Sequence, residues 1–469
     1  MESISVSVSG RQSWTMSRHS IDSPQSAAML LSKLVGENKR MWLLDKFLKT
    51  AVKHGRLKVT GHDEKTYEYG TGDADQPPIH IRLTNKKAAN HIARYPQMGA
   101  GEAFMWGWLK VEEPHDIRDL ILFVTEQAGK PGDRSLKPKG KLRTAAQRLV
   151  AKADSINLRG KAKKNAEHTY NLTRELYERF LDEDRQYTMA YYREDPASTS
   201  LEKAQLDKKA HLAAKMHIKP GQRILDIGCG WGGFALYLAR HYDVEVHGVA
   251  LAPDQIAFCQ ERAEEAGVAD RVKFSLTDYR DVKGQFDRIS SVGLLEHVGT
   301  PHYPQFYEHT ARLLKPDGVM MSHCCGRAGP PGFTDAWTRT YIFPGGYIPA
   351  LSELVSQSEQ YGWQVMDVEA MRFHYSHTLE EWYNRTVQHR AEIVDMYDET
   401  FYRMWLYYLA GAEQSFRHGD MVNWQLIYVK DRNAIPMTRE WITEESARLR
   451  AADAGQVPEW RFAQKEAAE

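Results

Sequence analysis

The sequence is poor in cysteine and lacks the long apolar runs of exported or membrane-spanning chains. Its 469 residues include only four cysteines, and none of them stands in a Cys-x-x-Cys or zinc-ligand spacing. We therefore expect no metal site and a reducing, cytoplasmic compartment. No apolar run approaches the roughly 18 residues that a membrane span requires, and the first residues lack the apolar segment of a secretory signal.

An excess of charge of either sign is also absent, because 62 Lys and Arg residues balance 62 Asp and Glu residues. The overall charge therefore identifies no partner. Locally, however, residues 130–165 are rich in Lys and Arg. This stretch is either a solvated linker or a basic surface for acidic lipid head groups. Because no nucleic-acid-binding motif accompanies it, we expect no nucleic-acid partner.

The pattern of apolar residues predicts two folded regions on either side of this basic linker. Residues 1–24 are rich in serine and are predicted to be disordered. Residues 25–129 combine helical periodicity ("LLDKFLKTAV") with short alternating strands ("RLKVTG", "TYEYGTG", "IHIRLT"), which predicts a small α+β domain. Within this domain, "GAGEAFMWGWLKVEE" is typical of a turn that enters a strand.

Residues 166–430 alternate apolar runs of strand length with helical segments. The runs are "RILDIG", "VEVHGVAL", "VKFSLTD", "FDRISSVG" and "GVMMSH". This order predicts an α/β domain with a parallel sheet and helices on both faces. We expect a helical cap at residues 376–420 and a further strand at "WQLIYVK". Residues 431–469 are expected to form a charged, peripheral tail.

A glycine-rich segment, "ILDIGCGWGG", follows the first of these runs and opens a helix. Gly228 and Gly230 permit a tight turn and a close approach of the backbone to a ligand. Asp226 ends the strand and Trp231 lies within the loop.

A dinucleotide site would place an acid about 20 residues further on to hold a ribose, but Ala250 and Ala252 stand near that place. Gln255 is the nearest polar side chain for sugar hydroxyls, and Asp278 follows the third strand, where it can accept from an exocyclic amine. This set favours an adenosine without a pyrophosphate, as in S-adenosylmethionine. A nucleotide-binding fold of another kind is also compatible with these residues.

Two further polar residues end the fourth and fifth predicted strands. Glu296 lies in "SVGLLEHVG" and His323 in "MMSHCCG". Open α/β sheets bind ligands beyond the carboxyl ends of their strands, so we expect both side chains near the cofactor. A lone histidine at such a place is often structural, but the pair beside a glycine loop favours a catalytic role.

At these residues the sequence resembles the cyclopropane-fatty-acid synthases, a family that includes the mycolic-acid methyltransferases. The matching segments are "YTMAYY", "LDIGCGWGG", "DYRD", "LLEHVG", "SHCCG", "YIFPGGYIP" and "HYSHTLEEWY". They extend from about residue 187 to residue 429. "GAGEAFMWGWLKVEE" resembles the N-terminal domain of the branch that acts on phospholipids.

The resemblance implies a Rossmann-like class I methyltransferase sheet with a helical cap, and an N-terminal α+β domain that docks on lipid. The implied reaction transfers a methylene group from S-adenosylmethionine to the cis double bond of an unsaturated phospholipid acyl chain. A carbocation forms, and bound bicarbonate deprotonates it so that a cyclopropane ring closes. The implied setting is a homodimer in peripheral contact with the anionic inner face of the membrane.

Residue roles follow from the same resemblance. Bicarbonate would be held by Glu296, His323 and Tyr375, with help from the backbone at Cys325. The cofactor would be held by Tyr187, Thr188, Asp226, Gly228, Gly230, Trp231, Gln255 and Asp278. The carbocation needs ring faces, and the candidate rings, each of which can equally be core, are Tyr191, Tyr192, Trp337, Tyr341 and Phe343.

Met189 departs from the family pattern, because it stands where the family has a cysteine that borders the bicarbonate site. Methionine has no S–H group to donate, although its backbone N–H remains. If the thiol matters, the product becomes a methyl-branched or methylene-bearing chain instead of a ring, and Cys324 is a nearby thiol that could compensate. The sequence is also compatible with a lipid-binding relative that lacks catalysis and with a small-molecule amine methyltransferase.

Overall fold

The computed structural model describes residues 40–72, 77–127 and 172–454. The predicted disordered segment 1–24 and the predicted basic linker 130–165 lie outside these residues. The described chain forms two compact units. One unit contains residues from 40–127 together with 383–411, and the other contains residues 172–382 and 412–454.

The first unit has a four-stranded sheet in the order β2-β1-β3-β4. Its elements within residues 40–127 are α1 (Arg40–Ala51), β1 (Leu57–Thr60), β2 (Thr66–Tyr69), β3 (Ile79–Leu83), α2 (Ala88–Arg94), α3 (Pro96–Met105), β4 (Leu109–Val111) and α4 (Ile117–Gln127). Strand β1 pairs antiparallel with β2 and parallel with β3. Val59, Ile81 and Leu83 are buried, which confirms the strands predicted from the alternating pattern.

The segment "GAGEAFMWGWLKVEE" differs from its prediction, because its first half is helical. Helix α3 begins at Pro96, a residue whose fixed φ suits the first position of a helix. A Cβ on Gly99 would lie 2.6 Å from the carbonyl oxygen of His91. The glycine therefore serves the close packing of α2 against α3, and the strand β4 begins only at Leu109.

The second unit has a seven-stranded sheet in the order β10-β11-β9-β8-β5-β6-β7. Its elements up to the fifth strand are α5 (Arg174–Phe180), α6 (Leu201–Lys215), β5 (Gln222–Ile227), α7 (Gly233–His241), β6 (Val244–Ala250), α8 (Pro253–Glu265), β7 (Val272–Leu276), β8 (Phe286–Val292), α9 (Leu295–Val298), α10 (Tyr303–Leu313) and β9 (Leu314–Arg327). The remaining elements of the chain are α11 (Ala336–Tyr341), α12 (Leu351–Glu359), β10 (Gln364–Met371), α13 (His374–Gln388), α14 (Arg390–Met396), α15 (Glu399–Arg417), β11 (Met421–Val429) and α16 (Glu440–Ala454). The predicted helical cap corresponds to α13, α14 and α15.

Strands β5 to β9 run parallel to one another, whereas β11 pairs antiparallel with both β9 and β10. Consecutive strand residues point to opposite faces. Ile224 and Met321 accordingly join one hydrophobic cluster, and Leu225 and Met320 join another. Helices cover both faces, which confirms the α/β class, and the antiparallel β10–β11 pair extends the parallel sheet that was predicted.

The segment after Asp431 is not the peripheral tail that was expected. It contains α16, whose Ile442 and Leu449 are buried in the hydrophobic clusters of the second unit. With Ser446, which is also buried, these residues recur at intervals of four and three and therefore lie on one helix face. Abundant charged residues on the opposite face concealed this stripe in the sequence.

Candidate active site

The loop between β5 and α7 carries three glycines with positive φ. The φ angles are 80° at Gly228, 53° at Gly230 and 82° at Gly232, values that residues with a Cβ rarely adopt. A Cβ on Gly230 would meet no atom within 4 Å. The backbone of this loop is therefore open to close approach by a ligand.

All eight residues predicted to hold the cofactor line one cavity at this loop. They are Tyr187, Thr188, Asp226, Gly228, Gly230, Trp231, Gln255 and Asp278. The cavity lies at the carboxyl ends of β5, β6 and β8, since Ile227, Ala250 and Val292 also line it. This is the edge at which open α/β sheets bind their ligands.

Two polar groups of the cavity fit a ligand with hydrogen-bonding atoms. The indole N–H of Trp231 is buried and has no partner among the described residues, so it remains available to an acceptor. Asp226 accepts a hydrogen bond from Ser290 Oγ at 2.6 Å, and its burial raises the pKa of this carboxyl to about 6. The cavity therefore combines an open glycine backbone with an unsatisfied donor, an arrangement that fits S-adenosylmethionine.

Asp278 forms an ion pair that was not predicted from the sequence. Arg280 donates to both carboxylate oxygens of Asp278, with Nε 2.8 Å from Oδ1. Both side chains line the cavity. An adenine amine at Asp278 would therefore use a carboxylate already oriented by arginine, and the spacing of two residues in "DYRD" was the available signal.

A buried lysine that the sequence reasoning missed also lines the cavity. Lys208 Nζ donates to Gln186 Oε1 at 2.9 Å and to Thr188 Oγ1 at 2.7 Å. One turn earlier on α6, Gln205 Nε2 donates to the carbonyl oxygen of Thr188 at 2.9 Å. Burial lowers the pKa of Lys208 to about 7. These contacts fix the segment that carries Tyr187 and Thr188.

The segment from Tyr187 to Tyr192 also packs along α13. The Ala190 N–H donates to Thr378 Oγ1 at 2.9 Å, and the Tyr192 N–H donates to His374 Nδ1 at 3.1 Å. Met189, between these contacts, is completely buried.

Tyr375 packs against two other aromatic rings. The ring of Tyr375 meets Trp382 edge-on with centroids 5.8 Å apart and lies 4.7 Å from the ring of Phe416. Among the described residues, the lining of the cavity includes neither Tyr375 nor the five candidate rings, Tyr191, Tyr192, Trp337, Tyr341 and Phe343. The structure therefore leaves their roles as predictions.

Glu296 lies on α9, shortly after β8 ends at Val292, and His323 lies within β9 as the register partner of Val292. Among the described residues, the lining of the cofactor cavity includes neither of these two side chains. The N–H of Cys325 donates to Glu296 Oε1 at 2.6 Å. This amide, predicted to hold bicarbonate, thus orients Glu296. Among the described residues, neither Glu296 Oε2 nor His323 Nε2 has a partner, although both atoms are buried.

Burial shifts the pKa values of Glu296 and His323 in opposite directions. It raises the pKa of Glu296, with the Cys325 N–H opposing the shift. It lowers the pKa of His323 to about 3. The imidazole is therefore neutral at pH 7, and the Glu296 carboxylate is less strongly acidic than an exposed one.

Comparison with known proteins gives consistent matches over most of the chain. Residues 158–426 match the family model described as mycolic acid cyclopropane synthetase. The chain is 36% identical to the cyclopropane-fatty-acyl-phospholipid synthase of Escherichia coli (strain K12), over 75% of this chain and 88% of that protein. It is 34% identical to a Pseudomonas putida protein named "Probable fatty acid methyltransferase", over 82% of this chain and 96% of that protein.

A solved structure also matches more than half of the chain. Mycolic acid cyclopropane synthase CmaA1, complexed with SAH and CTAB, gives a TM-score of 0.54 at 28% identity, over 57% of this chain and 97% of that chain. Among the described residues, no helix is both long enough and apolar enough to span a membrane. With the glycine-loop cavity, these matches show that the chain belongs to the mycolic acid cyclopropane synthetase family and is an S-adenosylmethionine-dependent methyltransferase of the cyclopropane-fatty-acyl-phospholipid synthase type.

Proposed function

We propose that this chain transfers a methylene group from S-adenosylmethionine to the cis double bond of an unsaturated phospholipid acyl chain and forms a cyclopropane ring. The observation that carries the proposal is the pair of buried, unpartnered atoms Glu296 Oε2 and His323 Nε2 in the described part of the chain. Glu296 lies on α9, the helix that follows β8, and His323 lies within β9 as the register partner of Val292, the last residue of β8, which lines the cofactor cavity. The 36% identity to the E. coli synthase supports the substrate class.

The cavity residues bind and orient the cofactor. Gly228 and Gly230 bring the backbone close to it, Trp231 offers its indole N–H, and Gln255 and Asp278 hold the ribose and adenine. When bound, S-adenosylmethionine supplies an electrophilic methyl group, and bicarbonate supplies a small base. An alkene is a weak nucleophile, so the main task of the protein is to align the reactants and exclude water.

The donor and acceptor atoms of Glu296 and His323 fit a small anion that carries a hydroxyl group. Glu296 Oε2 can accept from such a hydroxyl, while a protonated His323 Nε2 can donate to an oxygen. The Cys325 N–H holds the carboxylate in place through Oε1. Tyr375 supplies a third group in this proposal, and the buried Met189 excludes water from its neighbourhood.

Methyl transfer that ends in a branched or methylene-bearing chain is the second candidate. It is favoured by Met189, which removes the thiol expected beside the anion. The name of the P. putida relative describes a fatty acid methyltransferase. Peripheral contact with an anionic membrane surface and a homodimer stay predictions.

Labelled methyl transfer to lipid vesicles tests the proposal. The purified chain is given S-adenosylmethionine with a labelled methyl group, bicarbonate and vesicles of cis-unsaturated phospholipid. We expect label in the acyl chains, and a loss of about 100-fold or more in Glu296→Gln. Glu308→Gln, at an exposed position on α10, is the matched control and should leave transfer unchanged. Label that enters only free fatty acids or small amines would overturn the proposal.

A further inference from the structure

Three polar side chains form a row across the neighbouring strands β10, β11 and β9. Glu369 is the register partner of Gln425, and Gln425 is the register partner of His323. Side chains of directly opposed residues lie on the same face of a sheet. The row therefore extends from Glu369, whose side chain is 27% exposed, to Gln425 and His323, which are both buried.

Lys215, the last residue of α6, joins this row. Its Nζ donates to Gln425 Oε1 at 2.8 Å and also to Glu369 Oε2. Gln425 Nε2 lies 3.1 Å from His323 Nδ1. Lys215 is completely buried. Burial lowers the pKa of Lys215, and the charge and hydrogen bond of Glu369 oppose that shift. Burial of Glu369 opposes its ionisation, but His211 and Lys215 outweigh that effect and hold the pKa of its carboxyl well below its usual range, so an opposite charge stays beside the lysine.

These contacts determine the direction of each hydrogen bond. An ammonium group only donates, so it must face the oxygen of the Gln425 amide. The amide nitrogen, which also only donates, then faces His323 Nδ1. Nδ1 must therefore accept, and a neutral imidazole with an accepting Nδ1 carries its proton on Nε2.

Burial keeps that imidazole neutral, as the lowered pKa of His323 shows. Its Nε2 is the atom that is buried without a partner in the described part of the chain. A buried N–H without an acceptor is costly, so an N–H at this position favours a ligand oxygen. Without the Lys215–Gln425 pair, the other tautomer would present a lone pair at Nε2.

We propose that Lys215 and Gln425 are positioning residues, which hold His323 in the Nε2–H tautomer so that it donates to an oxygen of the bound anion. This role rests on the proposed function for the identity of the anion, but the tautomer itself does not depend on it. The chemistry recognised is that of a small oxyanion. A purely structural role for the same network would stabilise the fold without fixing the proton of His323.

Nitrogen NMR of the full chain with labelled histidine measures this tautomer. The His323 signals are assigned by their loss in His323→Gln. In the wild type, we expect Nε2 protonated and Nδ1 unprotonated at pH 7. An unprotonated Nε2 would overturn the inference, and this measurement requires no activity.

Gln425→Glu is the sharpest variant, because it changes one amide nitrogen to an oxygen at almost constant shape. The new carboxylate can accept from Lys215, but it can only accept from His323, which moves the imidazole proton to Nδ1. We expect the two nitrogen signals to exchange, kcat to fall about 100-fold and the Kd for S-adenosylmethionine to change less than about twofold. Unchanged nitrogen signals in a folded variant would overturn the inference.

Lys215→Met provides the second variant if Gln425→Glu fails to fold. Loss of the ammonium frees the Gln425 amide to rotate, so we expect a mixture of both tautomers. A wild-type tautomer in Lys215→Met would contradict the role of the lysine. If the wild type shows the expected tautomer but transfers no label to unsaturated phospholipid, the proposed function fails and the tautomer assignment stands.

Discussion

The indole ring of Trp382 stacks on the phenol ring of Tyr187, with centroids 5.2 Å apart and planes inclined by 25°. Tyr187 lines the cofactor cavity, and Trp382 lies on α13 and is completely buried. Tyr177 and Phe180 also make edge contacts with the tyrosine ring. The cavity wall at Tyr187 is thus supported by an aromatic cluster.

Removing this ring should weaken cofactor binding. Aromatic pairs contribute about 0.5–1.5 kcal/mol each beyond their buried area, so Tyr187→Leu should raise the Kd for S-adenosylmethionine about tenfold. Tyr187→Phe retains the ring and should change the Kd less than about threefold. Isothermal titration calorimetry measures both, and equal effects of the two variants would show that the ring stack does not support the site.

Gly230 in the cofactor loop and Gly233 at the start of α7 should respond differently to alanine. A Cβ on Gly233 would lie 2.1 Å from Asp184 Oδ2, so Gly233→Ala should lower the free energy of unfolding by about 3 kcal/mol. A Cβ on Gly230 meets no atom within 4 Å, but its φ of 53° is strained for alanine.

Gly230→Ala should therefore cost only about 1 kcal/mol of stability while it weakens S-adenosylmethionine binding about tenfold or more. Urea unfolding measures the stability of both variants, and isothermal titration calorimetry measures their affinity for S-adenosylmethionine. Normal cofactor affinity in Gly230→Ala would place the cofactor away from this loop.

The buried His323 should make the fold sensitive to acid. Its pKa is lowered to about 3, whereas an exposed histidine has a pKa of about 6.5. As the pH falls below about 6.5, the unfolded chain binds a proton that the folded chain does not bind. Stability attributable to His323 is therefore complete above that pH and is lost as the pH falls toward about 3, by up to about 1.4 kcal/mol per pH unit.

His323→Gln should remove this contribution. The difference in unfolding free energy between wild type and variant should shrink by about 2 kcal/mol between pH 7 and pH 5. Urea unfolding at several pH values measures it. A difference independent of pH would show that His323 is protonated in the folded state or accessible to solvent.

Met189→Cys tests whether the unusual methionine sets the product. Met189 is completely buried, so the smaller side chain should cost about 1–2 kcal/mol of stability. We expect a cyclopropane product from both proteins, measured in lipid extracts of cells that express each. Met216→Cys, at a completely buried core position, is the matched control for lost volume. A change from a branched to a cyclopropane product in Met189→Cys alone would assign the outcome to Met189.

The cofactor site could be predicted because its parts are local in the sequence. Asp226, Gly228, Gly230 and Trp231 follow one strand directly, and parallel strands bring their carboxyl ends to one edge. The buried helix α16 was missed because its apolar stripe is narrow and surrounded by charge. The turn predicted at Gly99 is wrong, because this glycine lies in α3 and allows close packing against α2, and only the fold reveals that packing.

Contacts that depend on strand register could not be predicted. Lys215 and Gln425 are separated by 210 residues, and Gln425 and His323 by 102. Their contact requires the antiparallel pairing of β11 with β9, which follows no local pattern. Lys208 was overlooked for a related reason, because a lysine on a helix is usually exposed and its partners Gln186 and Thr188 lie about twenty residues away.

The most direct test of the central claim uses S-adenosylmethionine with a fully deuterated methyl group and vesicles of cis-unsaturated phospholipid. Ring closure removes one deuterium from the transferred group, so the account predicts a cyclopropane acyl chain that retains two deuterium atoms, identified by mass spectrometry and proton NMR. A methyl-branched chain that retains three deuterium atoms, or a chain with its unsaturation intact, would contradict the account.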